Sequence, residues 1–168
     1  MLNDLEYDNG NLMGNIELES WKAFFGSEDP IYVVTGSKKK SDKPEKKHEN
    51  AYDYLVKNQK DILAKILYGY VTEYSEKRCD MNYTDNAYKP SVETVADLSG
   101  YLLPYCIKIL DTQRDNCSYT VIRFVSQLES LGDVSVLMHK DRVIIFEYNG
   151  IVDIDKFAKN DSKNRMGA

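Results

Sequence analysis

At 168 residues, with 42% hydrophobic and 29% charged side chains, the chain is long enough for one domain with a real core, and its composition excludes wholesale disorder. A net charge of −5 argues against general nucleic-acid binding, which needs a basic face to displace counterions. No apolar run approaches the roughly 18 residues of a membrane span, the first residues carry acids where a signal peptide carries lysines, and Cys79, Cys106 and Cys117 lack CxxC spacing, so a cytoplasmic chain with reduced thiols is expected.

Leu5-Glu6-Tyr7, a turn at Asp8-Asn9-Gly10, and the alternation of Leu12, Gly14, Ile16 and Leu18 predict a hairpin with a half-buried second strand. Trp21 to Phe25 follow without a clear period, and the β-branched run 31–35, closed by Gly36, predicts a further strand. Residues 37–47 carry six lysines and no apolar residue, which predicts a solvated lysine-rich loop.

From 49 to 78 the pattern changes. Tyr52, Leu55, Val56, Gln59, Ile62, Leu63, Ile66, Leu67, Tyr70 and Tyr74 recur at steps of three and four, which places one stripe on a single long amphipathic helix, with Gly69 as a candidate kink. Residues 79–92 read as an irregular loop and 92–98 as a short second helix ended by Gly100.

Strands are then predicted at 105–110, 119–128, 134–138 and 143–148, continuing at 151–154, with residues 139–142 as a short turn. Val143, Ile144, Ile145 and Phe146 do not alternate, so that strand should be covered on both faces, by the helix on one side and by a loop or a partner chain on the other. Residues 158–168 read as a frayed polar tail. The expected fold is a single α+β domain over 1–168, a mostly antiparallel sheet packed by one long helix.

Chemistry is sparse. His48, in the lysine-rich loop, and His139, at a hairpin turn, are expected to be solvated, and nucleotide-binding motifs are absent. Glu17/Glu19 and Asp153/Asp155 are spaced i, i+2, which on a strand points both acids to one face and could hold a divalent cation. Neither a cofactor nor a resident metal is expected.

Leu5-Glu6-Tyr7-Asp8 with Gly14 to Leu18, the helix from Ala51-Tyr52 to Tyr74 with Asn58 to Ile62 at its centre, and the closing meander from Val143 to Asp153 resemble small bacterial proteins found among the immunity proteins of polymorphic and contact-dependent toxin systems. That resemblance implies an α+β fold and a non-enzymatic, antitoxin-type role in which a toxin surface is occluded. An acidic N-terminal end and 13 tyrosines fit a basic protein partner, since carboxylates steer association and aromatics supply contact energy. The partner-binding candidates are Asp4, Glu6, Asp8, Glu17 and Glu19, with Tyr83, Asp85 and Tyr88 of the irregular loop. A small metal-dependent hydrolase built on a carboxylate pair, and a self-associating domain with residues 143–148 at a homodimer contact, are the alternatives.

Overall fold

The computed structural model describes residues 2–36, 43–80, 92–128, 133–148, 150 and 152–164. Seven strands form one sheet in chain order: β1 (Glu6–Asp8), β2 (Asn11–Ile16), β3 (Ile31–Gly36), β4 (Leu102–Arg114), β5 (Cys117–Ser126), β6 (Val134–His139) and β7 (Arg142–Tyr148). Among the described residues four α-helices accompany them: α1 (Glu19–Phe25), α2 (Lys46–Lys57), α3 (Gln59–Asp80) and α4 (Ile154–Asn164). Short 3-10 turns occupy Leu2–Asp4 and Val95–Gly100, the latter where a short α-helix is expected.

Two hairpins turn through two-residue loops with positive φ at both positions, Asn9-Gly10 (45° and 84°) and Asp115-Asn116 (50° and 53°). That mirror-type turn matches the right-handed twist of the flanking strands, and Asn, Asp and Gly tolerate it best. All neighbouring strands are antiparallel except β3 and β4, which run parallel from Tyr32↔Cys106 to Thr35↔Ile109. A parallel pair needs a crossover, and α2 and α3 lie within it.

The expected single helix is two. α2 starts at Lys46, where Glu45 and His48 close a reciprocal cap, and ends at Asn58, whose side-chain amide donates to the Tyr54 carbonyl at 2.8 Å. The break is therefore at Asn58 and not at Gly69. A Cβ on Gly69 would stand 2.9 Å from the Phe146 ring, so that glycine serves the close approach of α3 to β7.

Alternation sorts the strand residues onto two faces. Ile16, Ile31, Val33, Ile107, Ile109, Ile122, Phe124, Val136 and Phe146 join Leu55, Ile62, Ile66, Leu67 and Tyr70 of the helices in the main core. Trp21 of α1, fully buried, stacks near Phe124 with ring centres 6.2 Å apart and donates its indole N–H to the Gln59 carbonyl at 2.8 Å. The Ser20 N–H in turn donates to the Gln59 side chain at 2.9 Å. α1, which no periodicity announces, thus anchors the α2–α3 break.

On the opposite face Leu110, Tyr119, Val121, Leu137, Ile144 and Ile145 pack against Ile154 and Ala158 of α4. This corrects two expectations: residues 154–164 are helical where 151–154 reads as strand and 158–168 as frayed tail, and α4 supplies the second cover of β7. The pairing slips between Leu137↔Ile145 and Met138↔Val143, so Ile144 is an extra residue on β7. That bulge puts Ile144 and Ile145 together toward α4, while Val143 and Phe146 face the main core, which accounts for the lost alternation. The Arg142 guanidinium pairs with Asp161 of α4 through both terminal nitrogens, and the Tyr119 hydroxyl donates to the same carboxylate at 2.7 Å. Burial, followed by that carboxylate, pushes the Tyr119 hydroxyl up to about 12.

Of the lysine-rich loop, Lys46 and Lys47 belong to α2, and residues 37–42 lie outside the described set. Both histidines are buried rather than solvated, at 3% and 5% exposure. His48 Nδ1 accepts the Glu45 N–H at 3.2 Å, which requires that nitrogen to be unprotonated, and its Nε2 lies 3.3 Å from Asp111. His139 Nε2 contacts the Arg114 carbonyl at 3.0 Å, its ring against Tyr119. Burial lowers both pKa values below the usual histidine range.

Two predictions follow from this packing. Trp21→Phe leaves the Gln59 carbonyl without its donor and is expected to cost about 1–3 kcal/mol, and Trp21→Ala about 3–5 kcal/mol, both measurable by urea unfolding. Below pH 6.5 the unfolded chain takes up histidine protons that the folded chain resists, so stability present at neutral pH is lost as pH falls, by at most about 1.4 kcal/mol per pH unit per histidine. Melting temperatures from pH 7.5 to 5 should fall, and a His48→Gln/His139→Gln variant should show a shallower slope; an unchanged slope would remove the histidines as its source.

Candidate functional site

The face opposite α1–α3 carries two features. α4 packs its apolar side chains on β4–β7, and no residue of β1–β3 belongs to that cluster. Because Ile16, Ile31 and Val33 point into the main core, alternation places Met13, Asn15, Tyr32 and Val34 on this second face. Glu6 pairs directly with Met13 and Asp8 with Asn11, so both acids stand on the same face at the sheet edge. Tyr32 is 48% exposed there.

The second feature is a cleft of about 600 Å³ bounded by β4–β7 and by the segment leading into α4. Its floor follows from strand register: Cys106 pairs with Arg123, Arg123 with Ser135, and Ser135 with Glu147, which makes one polar row across four strands. Lys108 pairs with Val121 one step along, diagonal to Arg123. Glu147 is 3% exposed and accepts the Val152 N–H at 3.4 Å. Burial raises the Cys106 thiol pKa against the opposing pull of Arg123 and Lys108, so the thiol stays protonated at neutral pH.

The candidate residues separate in space. Asp4, Glu6, Asp8, Glu17 and Glu19 are all exposed, but only Glu6 and Asp8 share the edge of the open face. Glu17 and Glu19 lie beyond the end of β2, where Glu17 pairs with Lys22 and Glu19 occupies the first turn of α1. Neither carboxylate pair sits on a strand. Asp153 precedes α4 and accepts the Lys156 N–H at 3.1 Å as a helix cap, while Asp155 lies 4.0 Å from Lys108. Tyr83, Asp85 and Tyr88 lie outside the described residues. Among the described residues no group of three or more His, Cys, Asp or Glu side chains is arranged to hold a metal ion.

Sequence reasoning missed the polar row. Arg123 and Glu147 interrupt otherwise apolar strands, and a charge in such a run is the signal that could have drawn attention to them. No helix among the described residues is long and apolar enough to cross a membrane.

No curated protein and no solved structure was found to match this chain. A family profile does match, over residues 5–148, from the residue before β1 to the last residue of β7, and the chain therefore belongs to DUF6985, a domain family of unknown function.

Proposed function

We propose that this chain is a cytoplasmic, non-enzymatic binding protein of the immunity (antitoxin) type, which engages a basic toxin domain and occludes its active or substrate-binding surface. The observation that carries the reading is the β1–β3 face away from the main core, where Tyr32 of β3 stands exposed on the same face as Glu6 and Asp8 of the edge strand β1. An exposed tyrosine supplies a contact anchor, and edge carboxylates attract a basic partner before contact. The net charge of −5 adds the same sign of field over longer range.

Other carboxylates are already engaged, which favours binding over paired-acid catalysis: Asp153 caps α4 and Glu17 holds Lys22. Self-association through β7 has less support, because α4 of the same chain covers the strand face assigned to a second copy.

The test begins with co-purification from native lysate at low and high salt. The expected result is one basic protein that leaves as salt rises, is toxic when expressed alone, and is neutralised by this chain. With that partner in hand, Glu6→Lys/Asp8→Lys should slow association by about tenfold at low ionic strength and flatten its salt dependence. Tyr32→Ala should raise the dissociation rate by about thirtyfold, the equivalent of about 2 kcal/mol. Unchanged rate constants in both variants would take the β1–β3 face out of the interface.

A further inference from the structure

The cleft beside α4 adjoins the partner face, since Tyr32 pairs with Cys106 and Val34 with Lys108, but the inference drawn from it does not depend on the reading given for that face. Arg123 is its anomaly. Its Nε is buried without a hydrogen-bond partner, and among the described residues its guanidinium forms no ion pair. Buried polar atoms in folded proteins are paired with protein, water or ligand, and a guanidinium is a rigid fork shaped for a carboxylate or phosphate.

Lys108 gives this wall a second positive charge. It stands diagonal to Arg123 on the same face of the neighbouring strand, and Asp155 approaches it only to 4.0 Å. Across the cleft the sign reverses. Glu147 lies two strands from Arg123 with Ser135 between them, about 10 Å away at the backbone from two strand spacings. Asp133, just before β6, and Asp153 and Asp155, at the start of α4, also line the cleft, with Asp155 beside Lys108 and Asp133 diagonal to Arg123.

The lining therefore carries both signs, two cations and four carboxylates, and along the polar row Arg123 and Glu147 stand at opposite ends with Ser135 between them. A simple anion such as phosphate would be held by the first group and repelled by the second, and a simple cation the reverse. A ligand carrying both charges satisfies both ends. The cleft, at about 600 Å³, lies within the range of small-molecule sites and has room for more than a single charged group.

We propose that this cleft binds a small zwitterion, a free amino acid or short peptide, with its carboxylate in the fork of Arg123 and its ammonium group toward Glu147 at the other end of the row. The Tyr105 ring and the apolar surface of Val152 and Ile154 line the space left for a side chain. Ser135, midway along the row, is placed to hydrogen-bond either end.

The experiment is thermal shift followed by calorimetry on the full chain. The probes are the common L-amino acids, dialanine and trialanine, their C-terminal amides and N-acetyl derivatives, and inorganic phosphate as the anion control. At least one zwitterion should raise the melting temperature saturably, and both amidation and acetylation should abolish the effect. Arg123→Ala should weaken binding by about thirtyfold or more, as expected for losing one partner of a buried charge pair. Lys108→Ala, at a half-exposed side chain whose ion pair with Asp155 is long, should weaken it by about threefold to tenfold. The proposal is overturned if no zwitterion in the panel binds, if phosphate binds in their place, or if both variants bind as well as the parent chain.

Discussion

The parallel pairing of β3 with β4 is the constraint from which the rest of the architecture follows. Five of the six neighbouring strand pairs are antiparallel, but the parallel step from β3 to β4 forces the chain to return along the length of the sheet. The return is made by α2, α3 and the 3-10 turn before β4, and these elements pack on one face only. A straight helix over that span would be about 50 Å long, far longer than a strand of six residues. The break at Asn58 resolves the mismatch, and Trp21 fixes its position by bonding the carbonyl exposed there. Local chain geometry, helix packing and core aromatic stacking thus meet at one indole.

Spending the crossover on one face leaves the other to be covered by whatever remains of the chain. α4 does so only over β4–β7, through apolar packing and through Asp161, which receives Arg142 and Tyr119 together. The ion pair is bidentate and mostly buried, at 31% and 17% exposure, which sets it above the roughly 0–1 kcal/mol of an ordinary surface pair. Burying the apolar positions beneath α4 is the larger effect, and the carboxylate chiefly sets the register of the helix on the sheet. The β1–β3 part of that face and the polar cleft are the two remainders of this arrangement, which is why both proposed binding surfaces fall on the same side of the molecule.

Much of this fold is legible in the residues. The Asn9-Gly10 turn, the β3 run and the closing meander lie where period-two patterning and turn chemistry put them, and the helical stripe from Tyr52 to Tyr74 is buried at Leu55, Ile62, Ile66, Leu67 and Tyr70 as its spacing implies. The failures have physical causes. The stripe stays in phase across Asn58, so periodicity cannot reveal a break that is created by a tertiary bond from Trp21. α4 reads as a polar tail because it buries one narrow stripe around Ala158, and most of its surface is solvated. His48 and His139 look exposed because their flanks are charged, yet each is buried by a backbone hydrogen bond that composition does not encode. At the candidate surfaces, Glu6 and Asp8 were readable as acids but not as sharing a face with Tyr32, and Arg123 acquires meaning only when register sets it diagonal to Lys108 and in one row with Glu147.

The span matched by the family profile ends with β7, so the polar row of Arg123, Ser135 and Glu147 lies inside it, while α4 and the acids at its start lie outside. Leu110, Val121, Leu137, Ile144 and Ile145 point toward α4 from inside the matched span. Each is worth about 1.5–3 kcal/mol when fully buried, so a sheet carrying these side chains requires a cover on that face. In this chain the cover also forms one wall of the cleft. The same few turns of helix therefore close the hydrophobic face and bring Asp153 and Asp155 into the lining of the cleft, which couples the stability of the second face to the presence of the site.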